Sequence, residues 1–304
     1  MVSVIIPTKD RLTLLSQCLN GLYCQTATAS AFDVIVVNDG ATIGGLKEML
    51  EKHPLTRRTT LRLLDNAQNG PAIARNRGSQ LVNREIIAFL DDDAVPDHAW
   101  IDTIIKALPP ERTEVAAITG RILPLQTGLF SDARQARYDL RQQSMVDSGH
   151  LQTEFLAGGN SAVRTEVFHS LNGFDPRCTM MHDREFMLRM KRLNKLAMYC
   201  HEMVIHHVHV KSVPDAFTNA FTSGRFRYMM GNEYASEKTS LMKEIRTARK
   251  HLSTRYPGYG KSVNAVNSFL HCFHMLGYLT ARQRHDVWPK VKVADSCTEV
   301  RLNA

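Results

Sequence analysis

The chain lacks several features that would point early to a particular class of protein. None of its six cysteines forms a C-x-x-C pair, which argues against a zinc site. No G-x-G-x-x-G motif follows the first predicted strand, which argues against a dehydrogenase. No segment approaches the roughly 20 apolar residues needed to cross a bilayer. The nearest one, from Phe269 to Leu279, is interrupted by His271 and His274.

Charge is the next informative property. The chain carries 38 Lys and Arg against 30 Asp and Glu, a formal net charge of +8, which suits an anionic ligand, an anionic acceptor or a membrane surface. It has no arginine-rich tract and no aromatic–basic interleaving, so nucleic acid is not a predicted partner.

Met1 leads directly into a strand-like segment, so no signal peptide is predicted, and the scattered cysteines fit a reducing compartment. We therefore predict a soluble, cytoplasmic protein, and the charge leaves peripheral contact with the inner face of a membrane open.

Short apolar segments alternate with helical patterns over the first part of the chain. This alternation predicts an α/β fold with a doubly wound, mostly parallel sheet. From Pro214 to about Arg284 the pattern is helical, and the residues from Trp288 onward resemble a loose tail. We therefore predict a catalytic domain over residues 1–212 and a C-terminal helical extension over residues 213–304. The predicted strands are Val2–Pro7, Asp33–Val37, Leu61–Leu64, Ile86–Leu90, Val115–Leu123 and Ala197–Val210.

Three consecutive aspartates, Asp91, Asp92 and Asp93, follow the predicted strand Ile86–Leu90. Alternate residues of an extended chain point the same way, so Asp91 and Asp93 could present two carboxylates to one side. No Lys or Arg stands beside them in the sequence, so the cluster is repulsive unless a cation compensates it. A solvated acidic turn is the alternative. Ligands of open α/β sheets bind where strands end, and Mg²⁺ binds carboxylates plus phosphate oxygens, which favours a metal–phosphate site.

Several further motifs follow one another in a definite order. With the aspartates in their place in the series, they are Val4-Ile5-Ile6-Pro7-Thr8, Val36-Val37-Asn38-Asp39-Gly40, Ala74-Arg75-Asn76, Asp91-Asp92-Asp93, Gly158-Gly159-Asn160, Gly173-Phe174-Asp175, and Asp183 followed by Arg189. This ordered set resembles family 2 glycosyltransferases, which are inverting sugar transferases of the A-type fold, over roughly residues 2–210.

The resemblance implies a role for each matching position. Asp93 would coordinate Mn²⁺ or Mg²⁺, with His207 or His209 approaching the metal, and Asp183 would be the general base. The two glycines would let the backbone approach the donor sugar. The residues expected to bind a nucleoside diphosphate sugar, most often a uridine one, are Pro7, Thr8, Arg11, Asp39, Arg75, Asp91, Asp92, Gly158 and Gly159.

Each motif also has a purely structural interpretation. Gly158-Gly159 and Asp39-Gly40 could form plain turns. Arg75 could be a surface residue of a helix, and Asp183 could simply favour a helix N-terminus. The histidines at 206, 207 and 209 could be ordinary polar residues of a half-buried strand. The aspartate triplet is the one element that indicates function without the others.

Two positions depart from the family pattern. Asn38 stands where the first of two acids is usual, and His182 stands where a Glu usually precedes the base. Glu185 is a nearby carboxylate that could substitute for it. We expect these changes to affect the base assignment more than the donor site.

The sequence thus predicts a metal-dependent inverting glycosyltransferase. A sugar nucleotidyltransferase is disfavoured because Pro7–Arg11 contains no glycine, and a non-catalytic nucleotide-sugar-binding protein is the other alternative. Acceptor specificity should lie in residues 125–153 and in the helices after Pro214. From charge alone, an anionic or lipid-linked acceptor is expected to meet Arg134, Arg137, Tyr138, Arg225 and Arg227.

Overall fold

A computed structural model of the protein describes residues 1–41, 43–66, 69–147, 152–210, 212–234, 242, 246, 249–250, 252–290 and 298–302. The strands are β1 Val2–Thr8, β2 Phe32–Asn38, β3 Leu61–Asp65, β4 Ile86–Leu90, β5 Ala94–Pro96, β6 Val115–Pro124, β7 Asn160–Arg164, β8 Leu196–His207 and β9 Thr298–Val300. The helices are α1 Leu12–Tyr23, α2 Gly44–Lys52, α3 Pro71–Gln80, α4 Trp100–Ala107, α5 Leu129–Asp147, α6 Thr165–Ser170, α7 His182–Arg192, α8 Val213–Tyr234 and α9 Lys261–Arg284, with short 3₁₀ helices at Ala29–Ala31 and Pro54–Arg57.

The sheet confirms the predicted α/β fold. Its strand order is β5-β8-β6-β7-β4-β1-β2-β3-β9, and β4, β1, β2 and β3 run parallel at its centre. Every residue of β1 and β2 is buried, as expected for parallel strands covered on both faces. The carboxyl ends of β1, β2 and β4 therefore meet at one edge of the sheet.

Strand β7 runs antiparallel to both of its neighbours, β4 and β6, so this half of the sheet is mixed. Its register pairs Leu90 with Asn160, the last residue of β4 with the first of β7. Gly158 and Gly159, which precede β7, therefore lie at the same edge as the aspartate triplet. Antiparallel pairing delivers them there because the strand starts where β4 ends.

Two expectations about the later segments are corrected. Strand β8 ends at His207, so His209 does not share a strand face with it, as the prediction of a strand to Val210 required. The predicted loose tail contains β9, which pairs antiparallel with β3 and aligns Leu63 with Val300. Free backbone groups along the outer side of β3 give β9 its partner.

The chain divides into two compact units. The first, here called the sheet unit, comprises Met1–Leu123, Gly149–His207 and Val291–Ala304. The second, the helical unit, comprises Pro124–Ser148 and Val208–Lys290. The division falls after residue 207 rather than after the predicted 212, and α5 belongs with the later helices. Helix α5 packs on α9, and the Tyr259 hydroxyl donates to Asp139 of α5 at 2.6 Å.

Helices α8 and α9 pack closely in the helical unit because two glycines permit it. A Cβ at Gly277 would lie 1.9 Å from the carbonyl oxygen of Phe221, and one at Gly224 would lie 1.9 Å from that of His274. Both distances are far below a van der Waals contact, so backbone meets backbone at these points. Within the described ranges, no helix has the length and apolarity that a membrane span requires.

Candidate functional site

The aspartate triplet turns the chain from β4 into β5, and its side chains go to two sides. Asp92 is fully buried; its Oδ2 accepts a hydrogen bond from the Thr8 hydroxyl at 2.7 Å. Asp91 and Asp93 instead approach the imidazole of His207. The His207 Nε2 lies 3.6 Å from Asp91 Oδ2 and 3.1 Å from Asp93 Oδ1. One carboxylate thus points inward while its two neighbours share a histidine, at a turn between the two strands.

Strand register explains why a histidine more than a hundred positions away completes this cluster. Strand β5 pairs antiparallel with β8, and His207 lies directly across from Ala94. Ala94 follows Asp93, so the last residue of β8 is delivered to the carboxylates. One ligand-type atom each from Asp91, Asp93 and His207 lies within 4.8 Å of the others.

Two arginines compensate the aspartates, contrary to the expectation that only a cation could. Arg11, which precedes α1, lies 2.6 Å from Asp92 Oδ1 and 2.6 Å from Asp93 Oδ2. Arg75 of α3 pairs with Asp91 Oδ1. Asp91 and Asp93 therefore each direct one oxygen to an arginine and the other to His207. These pairs could not be predicted from the sequence, because each joins residues of separate structural elements.

The three carboxyl groups have different protonation tendencies. Burial is the largest single effect and raises the pKa of Asp91 and of Asp93, but the hydrogen bond and charge of His207, together with the charge of Arg75 or Arg11, outweigh it. Their pKa values consequently lie below the usual range. Burial raises the pKa of Asp92 to about 6, even though the Arg11 charge opposes the shift. Asp91 and Asp93 are thus the two held ready as anions.

These residues fit a divalent cation. Two ionised carboxylates and one imidazole are hard and borderline ligands of the kinds that Mg²⁺ and Mn²⁺ accept. The Asp91 and Asp93 oxygens that do not meet arginine converge on the same histidine nitrogen. A set of this kind, with two buried members and one partly buried, is a candidate metal site.

Asp39 is held at the end of β2 by an arrangement of its own. It is buried, and its carboxylate accepts hydrogen bonds from the Gly70 amide at 2.9 and 3.1 Å and from the Asn66 side chain. Gly70 precedes the first turn of α3, so Asp39 ties β2 to the helix that carries Arg75. Asn66 follows β3, and the rule that sites form at strand ends could have indicated it from the sequence.

Asn38 has a clear structural reason to replace an acid. Its side-chain Nδ2 donates to Asp65 Oδ1 at 3.0 Å, and its side-chain Oδ1 accepts from the Gly40 amide at 3.1 Å. A carboxylate here could not donate to Asp65 and would repel it. Next to Asn38, at the ends of β1 and β2, lies a cleft lined by Thr8, Asp10, Leu12, Asn38, Gly45 and Leu46.

Each glycine of the pair before β7 makes room for a site side chain. A Cβ at Gly159 would lie 2.1 Å from Asp91 Oδ2, and one at Gly158 would lie 3.1 Å from His182 Nε2. The Asp91 carboxylate therefore explains by itself why position 159 needs a residue without a Cβ. Gly158 also donates its amide to Asp183 Oδ2 at 3.1 Å, which joins Asp183 to this corner.

Asp183 and His182 begin helix α7. Burial raises the pKa of Asp183, although amide donors from Arg184 and Gly158 oppose the shift. Burial lowers the pKa of His182 to about 3, and the Arg75 charge adds to this, so the imidazole is neutral at ordinary pH. Both ring nitrogens of His182 are buried without a hydrogen-bond partner among the described residues.

Glu185 does not replace the missing family acid. It is fully buried, and both its oxygens accept from the Arg189 guanidinium at 2.6 Å. Arg189 also donates to the carbonyl of Gly173 at 2.7 Å, within the Gly173-Phe174-Asp175 motif. That motif is joined in turn to Asn76, whose side chain exchanges two hydrogen bonds with the Phe174 backbone at 2.7 and 2.8 Å. These family motifs hold the fold together beneath the site.

The remaining predicted residues lie elsewhere. Pro7 is buried in β1 and pairs with Val37 of β2. It differs from the other residues of β1 in having no backbone N–H. His209 belongs to the helical unit, and its Nε2 lies 2.7 Å from Gln135 Oε1. In the same unit Arg225 forms an ion pair with Asp286 at 2.8 Å.

Comparison with solved structures identifies the fold of the chain that carries this site. The mannosyltransferase PcManGT from Pyrobaculum calidifontis, solved with GDP-Man and Mn²⁺, aligns over 93% of this chain and 73% of its own, with a TM-score of 0.58 and 20% identity. Staphylococcus aureus TarS aligns over 93% of this chain and 55% of its own, with a TM-score of 0.54 and 14% identity. The fold is that of the A-type glycosyltransferases.

Sequence comparison gives the family. The model of glycosyl transferase family 2 matches residues 3–171, more than half of the chain, and the protein belongs to that family of enzymes. It is 34% identical to glycosyltransferase AglE of Haloferax volcanii over 35% of each chain. It is 23% identical to the O-antigen chain rhamnosyltransferase RfbN of Salmonella typhimurium, over 74% of this chain and 72% of RfbN. The match to RfbC of Myxococcus xanthus, at 28% identity, spans 72% of this chain and 18% of RfbC.

Proposed function

We propose that this glycosyltransferase moves a sugar from a nucleoside diphosphate sugar to an acceptor hydroxyl with inversion, using Mn²⁺ or Mg²⁺ and Asp183 as the general base. One observation carries the proposal. The Asp91, Asp93 and His207 cluster and the Asp183 carboxylate both adjoin the glycine pair at the carboxyl edge of the sheet. This arrangement supports a diphosphate site and a general base beside the same short segment.

The donor side of the proposal rests on charge. Asp91, Asp93 and His207 would hold the cation, which when bound stabilises the charge that grows on the leaving diphosphate. Arg11 and Arg75 fix the two carboxylates so that one oxygen of each faces His207. Positions held in advance in this way need no rearrangement when the donor binds.

The nucleoside would bind nearby, in the cleft that Thr8 and Asn38 line. Asp39 and Arg75 are the other residues expected to contact it. Uridine is the predicted nucleoside of the donor. Guanosine is the specific competitor, because the similar mannosyltransferase PcManGT was solved with GDP-Man.

The base would be Asp183. An alcohol is a poor nucleophile until a base accepts its proton, and a positioned carboxylate contributes roughly 10²–10⁴-fold to the rate. The amides of Gly158 and Arg184 each hold one oxygen of Asp183, at 3.1 and 2.8 Å. Burial raises its pKa, which makes the carboxylate a better proton acceptor at neutral pH. Attack from the face opposite the leaving diphosphate would invert the anomeric centre.

The metal role of His209 and an anionic or lipid-linked acceptor stay predictions. The geometry supports His207 more strongly than His209 as a ligand, because His207 is the histidine in the cluster with Asp91 and Asp93. Among the arginines expected at the acceptor, Arg225 is already compensated by Asp286. Arg134 donates to the backbone carbonyl of His209.

The experiment that tests the proposal is calorimetric titration of UDP and of GDP into the protein, with Mn²⁺ and then with chelator. Tight binding that requires Mn²⁺ and is lost in Asp93→Ala is the expected result. Asp97→Ala, which removes a half-exposed acid that faces His206 instead, is the matched control and should bind like the wild type. Binding of neither nucleotide, or binding unaffected by chelator and by Asp93→Ala, would refute the proposed donor site.

A non-catalytic nucleotide-sugar-binding protein is the rival that this titration alone does not exclude. Donor hydrolysis or transfer distinguishes the two, since the rival binds metal and nucleotide without turnover. Replacing Asp183 separates binding from chemistry within the proposed mechanism, as described in the Discussion.

A further inference from the structure

Helix α9 carries an apolar stripe that faces solvent. Its exposed positions include Ala265, Phe269, Cys272, Leu276 and Leu279, spaced alternately by four and three residues. At 100° per residue these five positions fall within an arc of about 80° on the helix. Phe269 is 60% exposed, Leu276 52% and Leu279 43%. We call this set the α9 stripe.

The stripe is not the face by which α9 folds. The buried residues of the helix, among them Val263, Leu270, Tyr278 and Ala281, lie on the opposite side. That side includes Gly277, where α9 approaches the backbone of α8. Phe269 of the stripe has an edge contact with the ring of Phe217 in α8 yet keeps most of its surface exposed. Large apolar side chains in a continuous exposed row are a usual mark of an interaction surface.

The positive net charge of the chain comes entirely from the unit that carries the stripe. The helical unit has 16 Lys and Arg against 8 Asp and Glu, a net charge of +8, while the sheet unit has 22 of each. Exposed basic residues occur at both ends of α9 and just beyond it, at Lys261, Arg284 and Lys290. An apolar row accompanied by basic charge matches an anionic, apolar partner.

We propose that the α9 stripe is a docking surface for a lipid bilayer with anionic head groups. A helix in the plane of a bilayer inserts its apolar side chains between the head groups while basic residues bind the anionic lipids. A second copy of this chain is the competing occupant, because a stripe with alternating spacings of four and three also suits helix pairing. The charge favours the bilayer, since two helical units of net charge +8 would repel each other.

The test is sedimentation of the full chain with vesicles, and it requires neither a donor sugar nor turnover. One set of vesicles contains phosphatidylcholine alone, and the other contains phosphatidylcholine and phosphatidylglycerol in equal parts. The wild type should sediment with the anionic vesicles and less with the neutral ones, by about fivefold for each basic residue that engages head groups. Raising the salt concentration should release it.

Variants locate the surface. Phe269→Asp with Leu276→Asp should weaken sedimentation with anionic vesicles by at least about tenfold, because two inserted side chains become charged. Leu193→Asp is the matched control: Leu193 is 54% exposed, as these two are, but lies in the sheet unit, so its variant should sediment like the wild type. Arg284→Glu with Lys290→Glu changes only exposed charges and should also weaken sedimentation, which covers the case in which the first double variant does not fold.

Three results would overturn the proposal. The wild type could fail to sediment with either vesicle, or Phe269→Asp with Leu276→Asp could sediment as well as the wild type. The third is a dimer in analytical ultracentrifugation that this double variant converts to a monomer, since the stripe would then be an interface between copies. Nucleotide titration of the same variants is independent, because the nucleotide site lies in the sheet unit.

Discussion

The sheet unit and the helical unit use their polar and apolar residues in opposite ways. In the sheet unit the charges balance, and several of them are buried in pairs such as Arg75 with Asp91 and Arg189 with Glu185. The helical unit has all of the net charge and ten of the fourteen large hydrophobic side chains recorded as exposed in the described part of the chain, although it comprises about a third of the residues.

The comparison teaches that the two units meet different demands. Buried ion pairs cost desolvation and add little net stability, but they fix charged groups in place, which a site for a charged ligand needs. Exposed apolar and basic residues cost little in a folded monomer, and they create surface for association. We infer that chemistry belongs to the sheet unit and association to the helical unit. The predictions below test that division, beginning with the largest effect.

Replacing the proposed general base should lower the rate of sugar transfer without changing nucleotide affinity or sedimentation with vesicles. Asp183→Asn keeps the size of the side chain and, through its one acceptor oxygen, the hydrogen bond from the Gly158 amide; it gives up the bond from the Arg184 amide and cannot accept a proton. We expect kcat to fall by roughly 10²–10⁴-fold. Affinity for nucleotide with Mn²⁺ and sedimentation with anionic vesicles should both be unchanged. Retained turnover at the wild-type rate would rule out Asp183 as the base.

Crowding the close helix contact should affect the helical unit. Gly277→Ala places a Cβ where only 1.9 Å separates it from the Phe221 carbonyl oxygen, and backbone cannot yield as a side-chain tip does. We expect the free energy of unfolding to fall by about 1–3 kcal/mol. Denaturant unfolding measures it. Gly44→Ala in α2 is the control, because a Cβ there meets nothing within 4 Å, and its stability should not fall.

Restoring the usual family acid at position 38 should harm this particular chain. Asn38→Asp removes the hydrogen bond to Asp65 and sets a buried carboxylate against a partly buried one. We expect a loss of about 1–3 kcal/mol in the free energy of unfolding at neutral pH. Adding Asp65→Asn should restore most of it, since the donor and acceptor are then exchanged. A double variant no more stable than Asn38→Asp would contradict this explanation.

The smallest effect expected is a displacement of the pH profile. Burial raises the pKa of Asp183, so this carboxylate becomes protonated at a higher pH than an ordinary aspartate with a pKa of about 3.9. Activity should therefore be full above the raised pKa and should fall as pH decreases through it. The measurement is kcat against pH at saturating donor and Mn²⁺. An acid limb at or below the range of an ordinary aspartate would show that Asp183 does not limit the rate.

Much of this architecture follows from the sequence. The alternation of apolar segments and helical patterns is local, so the bounds of β1 to β4 were predicted within one or two residues. The rule that parallel strands end at one edge also placed Thr8, Asp39 and Asp91–Asp93 together, because it depends on strand direction alone. Family 2 motifs are short and contiguous, so they too could be recognised without a structure.

What the tertiary structure alone decided is which charges meet. Arg11 and Arg75 compensate the aspartates from separate helical elements, and His207 reaches them through the pairing of β5 with β8. Glu185, plausible as a catalytic acid in the sequence, is committed to Arg189. These contacts depend on register and packing between segments that are distant in the chain, whereas hydrophobic periodicity reports only which face of one segment is buried. Local pattern therefore determined β1 to β4 and where they end, and long-range packing determined the remaining pairings and the electrostatics of the site.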